Sequence, residues 1–102
     1  MDIKIMNQNE IIDHYGVAHQ LGIATEECAE LIQAISKMNR TNGDVEKYTK
    51  SKLHLEEEIA DVIVCIHQLK SIYNISDSRI SELANYKINR QIARMSEEKY
   101  GK

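Results

Sequence analysis

Two short acidic stretches carry the chemistry of this 102-residue chain. The first is Glu26-Glu27-Cys28-Ala29-Glu30, the second Glu56-Glu57-Glu58-Ile59-Ala60-Asp61. Each holds two carboxylates three residues apart, Glu27 with Glu30 and Glu58 with Asp61. On a helix such residues are surface neighbours. Two like charges about 4 Å apart repel by about 4 kcal/mol at an effective dielectric near 20. A bound proton or a bound cation relieves that repulsion. An all-oxygen donor set suits a hard cation such as Mg²⁺. Softer metals are disfavoured, because neither cluster shows His at ligand spacing. None of His14, His19, His54 and His67 has a Glu three residues before it, so the Glu-x-x-His pattern of di-iron bundles is missing. Either cluster alone reads as a solvated helix face. The matched spacing of the two is what points to a site.

The elements that position these acids are read as helices. The chain has no Pro and little β-alternation, which predicts an all-α, four-helix fold. Asn7 with Glu10 forms a capping-box pattern that opens a short helix over about 8–15. Gly16 and Gly22 are mild breakers. A second helix is expected over 17–40, ended by Thr41-Asn42-Gly43-Asp44. Residues 45–50 read as loop, and 41–50 as the one mobile segment. A third helix is expected over 51–73. Asn74–Asp77 is a turn with Ser76 or Asp77 as the next cap, and a fourth helix follows over 78–98. At about 100° per residue, Ala24, Cys28, Leu31, Ile35 and Met38 form one apolar stripe. Leu55, Ile59, Val62, Ile66, Leu69 and Tyr73 form another. In both helices the first acid sits roughly 60–70° from the stripe centre and the second roughly 120–130°, with the same sign. If the helices pack antiparallel, the four acids converge on one side of the seam.

Composition narrows the class. The formal charge is −3, which argues against a general nucleic-acid binder. No apolar run approaches the roughly 18 residues of a membrane span. Met1-Asp2-Ile3-Lys4 lacks the pattern of a signal peptide, so the expected compartment is the cytoplasm. Cys28 and Cys65 lie in apolar stretches and read first as buried thiols, second as a disulfide. Phe and Trp are absent and Tyr is the one aromatic type. The core is therefore small, and association with another copy would add stability. The whole length, 1–102, reads as one domain.

Basic residues offer a complement to the acids. Lys87, Arg90 and Arg94 fall within about a 60° arc of the fourth helix, beside Ile80, Leu83, Ala84, Ile88 and Met95. Lys37 falls on the same side of the second helix as Glu30. Such groups bind phosphates, Arg in bidentate fashion and Lys as a point charge. Arg90 and Arg94 equally suit the C-terminal half of a helix. Tyr15, Tyr73 and Tyr86 are of a type that stacks on a base, although such residues more often serve core or interface.

Glu26-Glu27-x-x-Glu30 followed by Glu58-x-x-Asp61 resembles the signature of MazG-like all-α nucleoside triphosphate pyrophosphohydrolases, in particular the small phage and bacterial type. The resemblance covers about residues 15–96. It takes in Gln20, the run Glu26 to Ile35, Lys37, Glu57-Glu58-Ile59-Ala60-Asp61-Val62, Gln68-Leu69-Lys70, Lys87, Arg90 and Arg94. The stretch between the motifs, 31–57, lies toward the long end of what the family tolerates. The resemblance implies a four-helix bundle assembled as a homo-oligomer, a dimer or tetramer. It implies Mg²⁺-dependent hydrolysis of a nucleoside triphosphate, often a deoxynucleotide or a non-standard one, to monophosphate and pyrophosphate, with Mn²⁺ as a substitute ion. It makes Glu27, Glu30, Glu58 and Asp61 the metal ligands, with Glu27 and Glu58 central to catalysis. It gives Glu26 the attacking water, Lys37, Lys87, Arg90 and Arg94 the phosphates, and Gln20 a further substrate contact. Many relatives carry a Trp or other large aromatic near the base, and this chain departs from them.

Two other classes compete. A catalytically weak nucleotide-binding sensor would bind nucleotide with Mg²⁺ and release no pyrophosphate. A helical interaction protein with solvated acids would respond to neither. No nucleic-acid polymer and no membrane is expected as a partner.

Overall fold

The computed structural model describes residues 8–100, and within them the chain forms four α-helices and no strand. They are α1 (Gln8–Tyr15), α2 (Val17–Asn39), α3 (Val45–Tyr73) and α4 (Asp77–Lys99). Asn7, and with it the expected capping box, lies outside the described residues. Gly16 alone joins α1 to α2, at φ 89° and ψ 161°. An L side chain rarely adopts that backbone, so glycine is required there. Gly22 lies within α2 and interrupts nothing.

α3 begins earlier than the sequence suggests. Residues 45–50 are helical, which corrects their reading as loop. The Asp44 side chain accepts from the Lys47 N–H at 3.1 Å and so caps the first turn, which satisfies one of its orphan donors. Lys50 pairs with Glu46 at 3.1 Å, and the Thr49 hydroxyl donates to the Val45 carbonyl. These local bonds compensate for a segment with little to bury. At the other end Asn74 takes the left-handed conformation, φ 54°, and Ser76 caps α4 by accepting from the Arg79 N–H at 3.1 Å.

α2 and α3 form an antiparallel hairpin. Its seam uses Gln20, Ala24, Glu27, Leu31, Ala34 and Met38 on one side, and Leu55, Glu58, Val62, Cys65, Leu69 and Ile72 on the other. The alternation of four- and three-residue steps is the spacing of a coiled coil. The small Ala24 and Ala34 are buried and allow the backbones to come close. This rotates the seam away from the stripes expected above. Cys28, Ile35, Ile59, Ile66 and Tyr73 are exposed, and Cys28 is a free thiol at the surface while Cys65 is a free thiol within the seam. Both cysteines were expected to be buried, and only Cys65 is.

α1 packs on both members of the hairpin, and the Ser71 hydroxyl donates to Asn9 Oδ1 at 2.8 Å. α4 packs against none of the other three helices. It is tied to α3 by the Lys70–Asp77 ion pair at the turn, which holds the Asp77 carboxyl below its usual range. The four helices therefore do not close into a bundle within one chain. The radius of gyration is 17.6 Å, against about 13 Å for a compact domain of this length. The accessible surface is 8286 Å², against about 5,900 Å² for a compact monomer of this mass. Among the described residues no helix is long and apolar enough to cross a membrane.

Candidate metal centre

The middle of the α2–α3 seam is occupied by carboxylates. Glu58 is buried, 6 % exposed. Glu27 is half-buried and faces it from α2. One carboxylate oxygen each from Glu27, Glu58 and Asp61 lies within 4.8 Å of the others. The heptad spacing explains the placement, because Glu27 and Glu58 stand at seam positions where a neighbouring Leu or Ala would be expected. Asp61 lies one turn beyond Glu58 on the flank of the seam and is exposed.

The electrostatics are unfavourable for three free carboxylates. The Glu27 carboxyl is pushed up to about 7, first by burial, then by the negative charges of Asp61, Glu30 and Glu58, and by a hydrogen bond with Asp61. Glu27 Oε2 and Glu58 Oε2 are buried and meet no hydrogen-bond donor. A buried acceptor left without a partner costs about 1–3 kcal/mol, and more when charged. The residues fit a hard divalent cation on two grounds: the unpartnered buried oxygens, and a donor set made of oxygen alone. An acidic cluster on a surface is common without an ion; here two of the oxygens are out of contact with solvent.

The remaining residues of the predicted site fall in four places. Glu30 is exposed on α2, close enough to raise Glu27, and Glu26 is exposed one residue before it. Lys37 is exposed further along α2 and lines a shallow groove of about 330 Å³ with Arg40, Lys47, Lys50 and Ser51. Lys87, Arg90 and Arg94 are exposed on α4 and are not brought to the acids within one chain. The Arg90 guanidinium sits 5.9 Å from the centre of the Tyr86 ring.

Gln20 is committed inside the protein. Its Nε2 donates to Gln68 Oε1 at 3.1 Å, and its Oε1 is 2.9 Å from His19 Nδ1. Gln20 and Gln68 are 5 % and 3 % exposed. Each lies two turns along its helix from Glu27 or Asp61, about 10 Å away. This buried polar pair fixes the register that sets the acids opposite one another. Tyr15 stacks on His19 with ring centres 4.9 Å apart.

One contact escaped the sequence analysis. His54 Nε2 lies 3.3 Å from Glu58 Oε1 across one helical turn. A search restricted to Glu-x-x-His misses it; the signal is His four residues before a seam Glu.

Compared with models of known protein families, with curated proteins and with solved structures, the chain matches none.

Proposed function

We propose that the chain is an Mg²⁺-dependent nucleoside triphosphate pyrophosphohydrolase of the MazG-like type, a single helical domain that works as a homo-oligomer in the cytoplasm. The observation that carries this reading is the pair of buried, unpartnered oxygens, Glu27 Oε2 and Glu58 Oε2, beside Asp61. Glu27, Glu30, Glu58 and Asp61 would hold the ion, with Mn²⁺ as the substitute. When bound, the ion neutralises charge on the phosphate oxygens and makes a bound water more acidic. Glu26 orients the attacking water and takes its proton. The bond that breaks lies in the bridge between the α- and β-phosphates, and water adds across it to give the monophosphate and pyrophosphate.

Lys37, Lys87, Arg90 and Arg94 carry the phosphates in this reading. The α4 cations need a second copy to reach the acids, since α4 stands apart from its own hairpin. Two features support such an assembly. Ile80, Leu83, Ile88, Ile92 and Met95 form an exposed apolar stripe on α4, and most helical stability in proteins comes from packing such a face against a partner. Ile32, Ile35, Ile59 and Ile66 are exposed on the hairpin. The acids of the seam and the Lys87, Arg90 and Arg94 face of α4 are complementary in charge as well.

Glu58→Gln tests the assignment. The variant is expected to keep its helical content and lose Mg²⁺-dependent release of pyrophosphate. A fully active variant would sink the metal site. Nucleotide binding with Mg²⁺ but no pyrophosphate from the wild type would instead identify a sensor.

A further inference from the structure

His54 stands one turn before Glu58 on α3, and its side chain is 37 % exposed. Its Nε2 is 3.3 Å from Glu58 Oε1. Among the described residues this is the single polar contact of the buried Glu58 carboxylate. The two oxygens of Glu58 are thus divided. The His54 Nε2 lies beside Oε1, while Oε2 meets no hydrogen-bond donor; one oxygen each of Glu58, Glu27 and Asp61 lies within 4.8 Å of the others.

A glutamate loses considerable rotamer freedom when it is fixed. A hydrogen bond from outside the coordination sphere removes that freedom before an ion arrives, and such partners orient the ligands they touch. We propose that His54 is the positioning residue of the centre: its Nε2–H donates to Glu58 Oε1 and holds Oε2 toward the space shared with Glu27 and Asp61. This rests on the metal-centre reading above. His54 itself does not contact the ion. Its role is to present one oxygen of a carboxylate whose neighbours, Glu27 and Asp61, would otherwise repel it into another rotamer.

The test is Mn²⁺ binding to the full chain without nucleotide, read from the loss of the free-ion electron paramagnetic resonance signal. His54→Ala is expected to weaken binding about 10- to 100-fold, the usual loss for an outer-shell partner. Ala is the strongest helix former, so the fold is retained, as circular dichroism will check. His54→Gln places an amide N–H at a reach similar to Nε2 and is expected to restore binding close to wild type. A wild-type Kd in His54→Ala overturns the role and leaves the centre standing. Equal weakness in His54→Gln and His54→Ala also overturns it, since the ring rather than the hydrogen bond would then matter. A wild-type chain that binds no Mn²⁺ overturns the centre, and this role with it.

Discussion

Glu27 and Glu58 face each other across the α2–α3 seam, and each carries one buried carboxylate oxygen that no donor reaches. Seam positions in a helical hairpin normally hold apolar side chains. Acids there are destabilising unless a proton or an ion joins them. The arrangement is therefore more informative than the number of acids in either cluster.

The first consequence is a pH dependence. Glu27 has an ordinary value of 4.5 and is raised to about 7 in the fold. A carboxyl raised in the folded state favours folding while it is protonated. Its contribution is complete below about 4.5 and is lost as the pH rises toward about 7. Without divalent cation, thermal stability from this group should fall across that window. Glu27→Gln should flatten the fall, and stabilisation by Mg²⁺ should grow over the same interval as the proton is displaced. Melting curves of both proteins at several pH values check this. Parallel profiles for wild type and Glu27→Gln would contradict it.

A second consequence concerns α4. Paired Leu83→Glu and Ile88→Glu substitutions place charge in its exposed stripe. If that stripe meets another copy, the wild type sediments as a dimer or tetramer and the variant falls to the 11.7 kDa chain mass. Pyrophosphate release should fall with it, because Lys87, Arg90 and Arg94 would no longer reach an acid cluster. An unchanged mass in the variant, or a monomeric wild type that is fully active, would show that the assembly is not built this way.

The start of α3 gives a third. Asp44→Ala removes the cap that accepts from the Lys47 N–H. The expected cost is about 1 kcal/mol. Amide exchange should quicken over residues 45–50 and stay slow near Cys65 and Gln68. If 45–50 already exchange at the rate of an unstructured chain in the wild type, the early start of α3 is refuted.

Much of this architecture was legible in the sequence, for physical reasons. The absence of Pro and the spacing of apolar residues marked four helices. Ser76 or Asp77 was expected as the cap and Ser76 is the one that serves, and Thr41–Asp44 marked the turn. The approach of Glu27, Glu58 and Asp61 was legible from the acidic spacing, while Glu30, expected with them, stays exposed outside that group. Half of the seam was legible: Ala24, Leu31, Met38, Leu55, Val62 and Leu69 lie in it as expected, while Cys28, Ile35, Ile59, Ile66 and Tyr73 do not. Cys28, Ile35, Ile59 and Ile66 are more apolar than Glu27, Ala34 and Glu58, so a reading by hydropathy centres the stripe on them. Packing chose the alternation of four and three steps in which Ala24 and Ala34 allow close approach. Residues 45–50 were misread because a polar run carries no periodicity, and the Asp44 cap outweighs that. The isolation of α4 left no trace in its own pattern, which is that of an ordinary amphipathic helix.

The most direct measurement is pyrophosphate release from a panel of ribonucleoside and deoxyribonucleoside triphosphates, including non-standard ones, with and without Mg²⁺. The expected result is monophosphate and pyrophosphate in equal amounts, only with Mg²⁺ or Mn²⁺, and none from Glu58→Gln. Saturating Mg²⁺ and the preferred nucleotide at about 100 times its Kd should also stabilise the fold by about 2.7 kcal/mol. No release from any substrate, together with a melting temperature that neither Mg²⁺ nor nucleotide moves, would contradict the account.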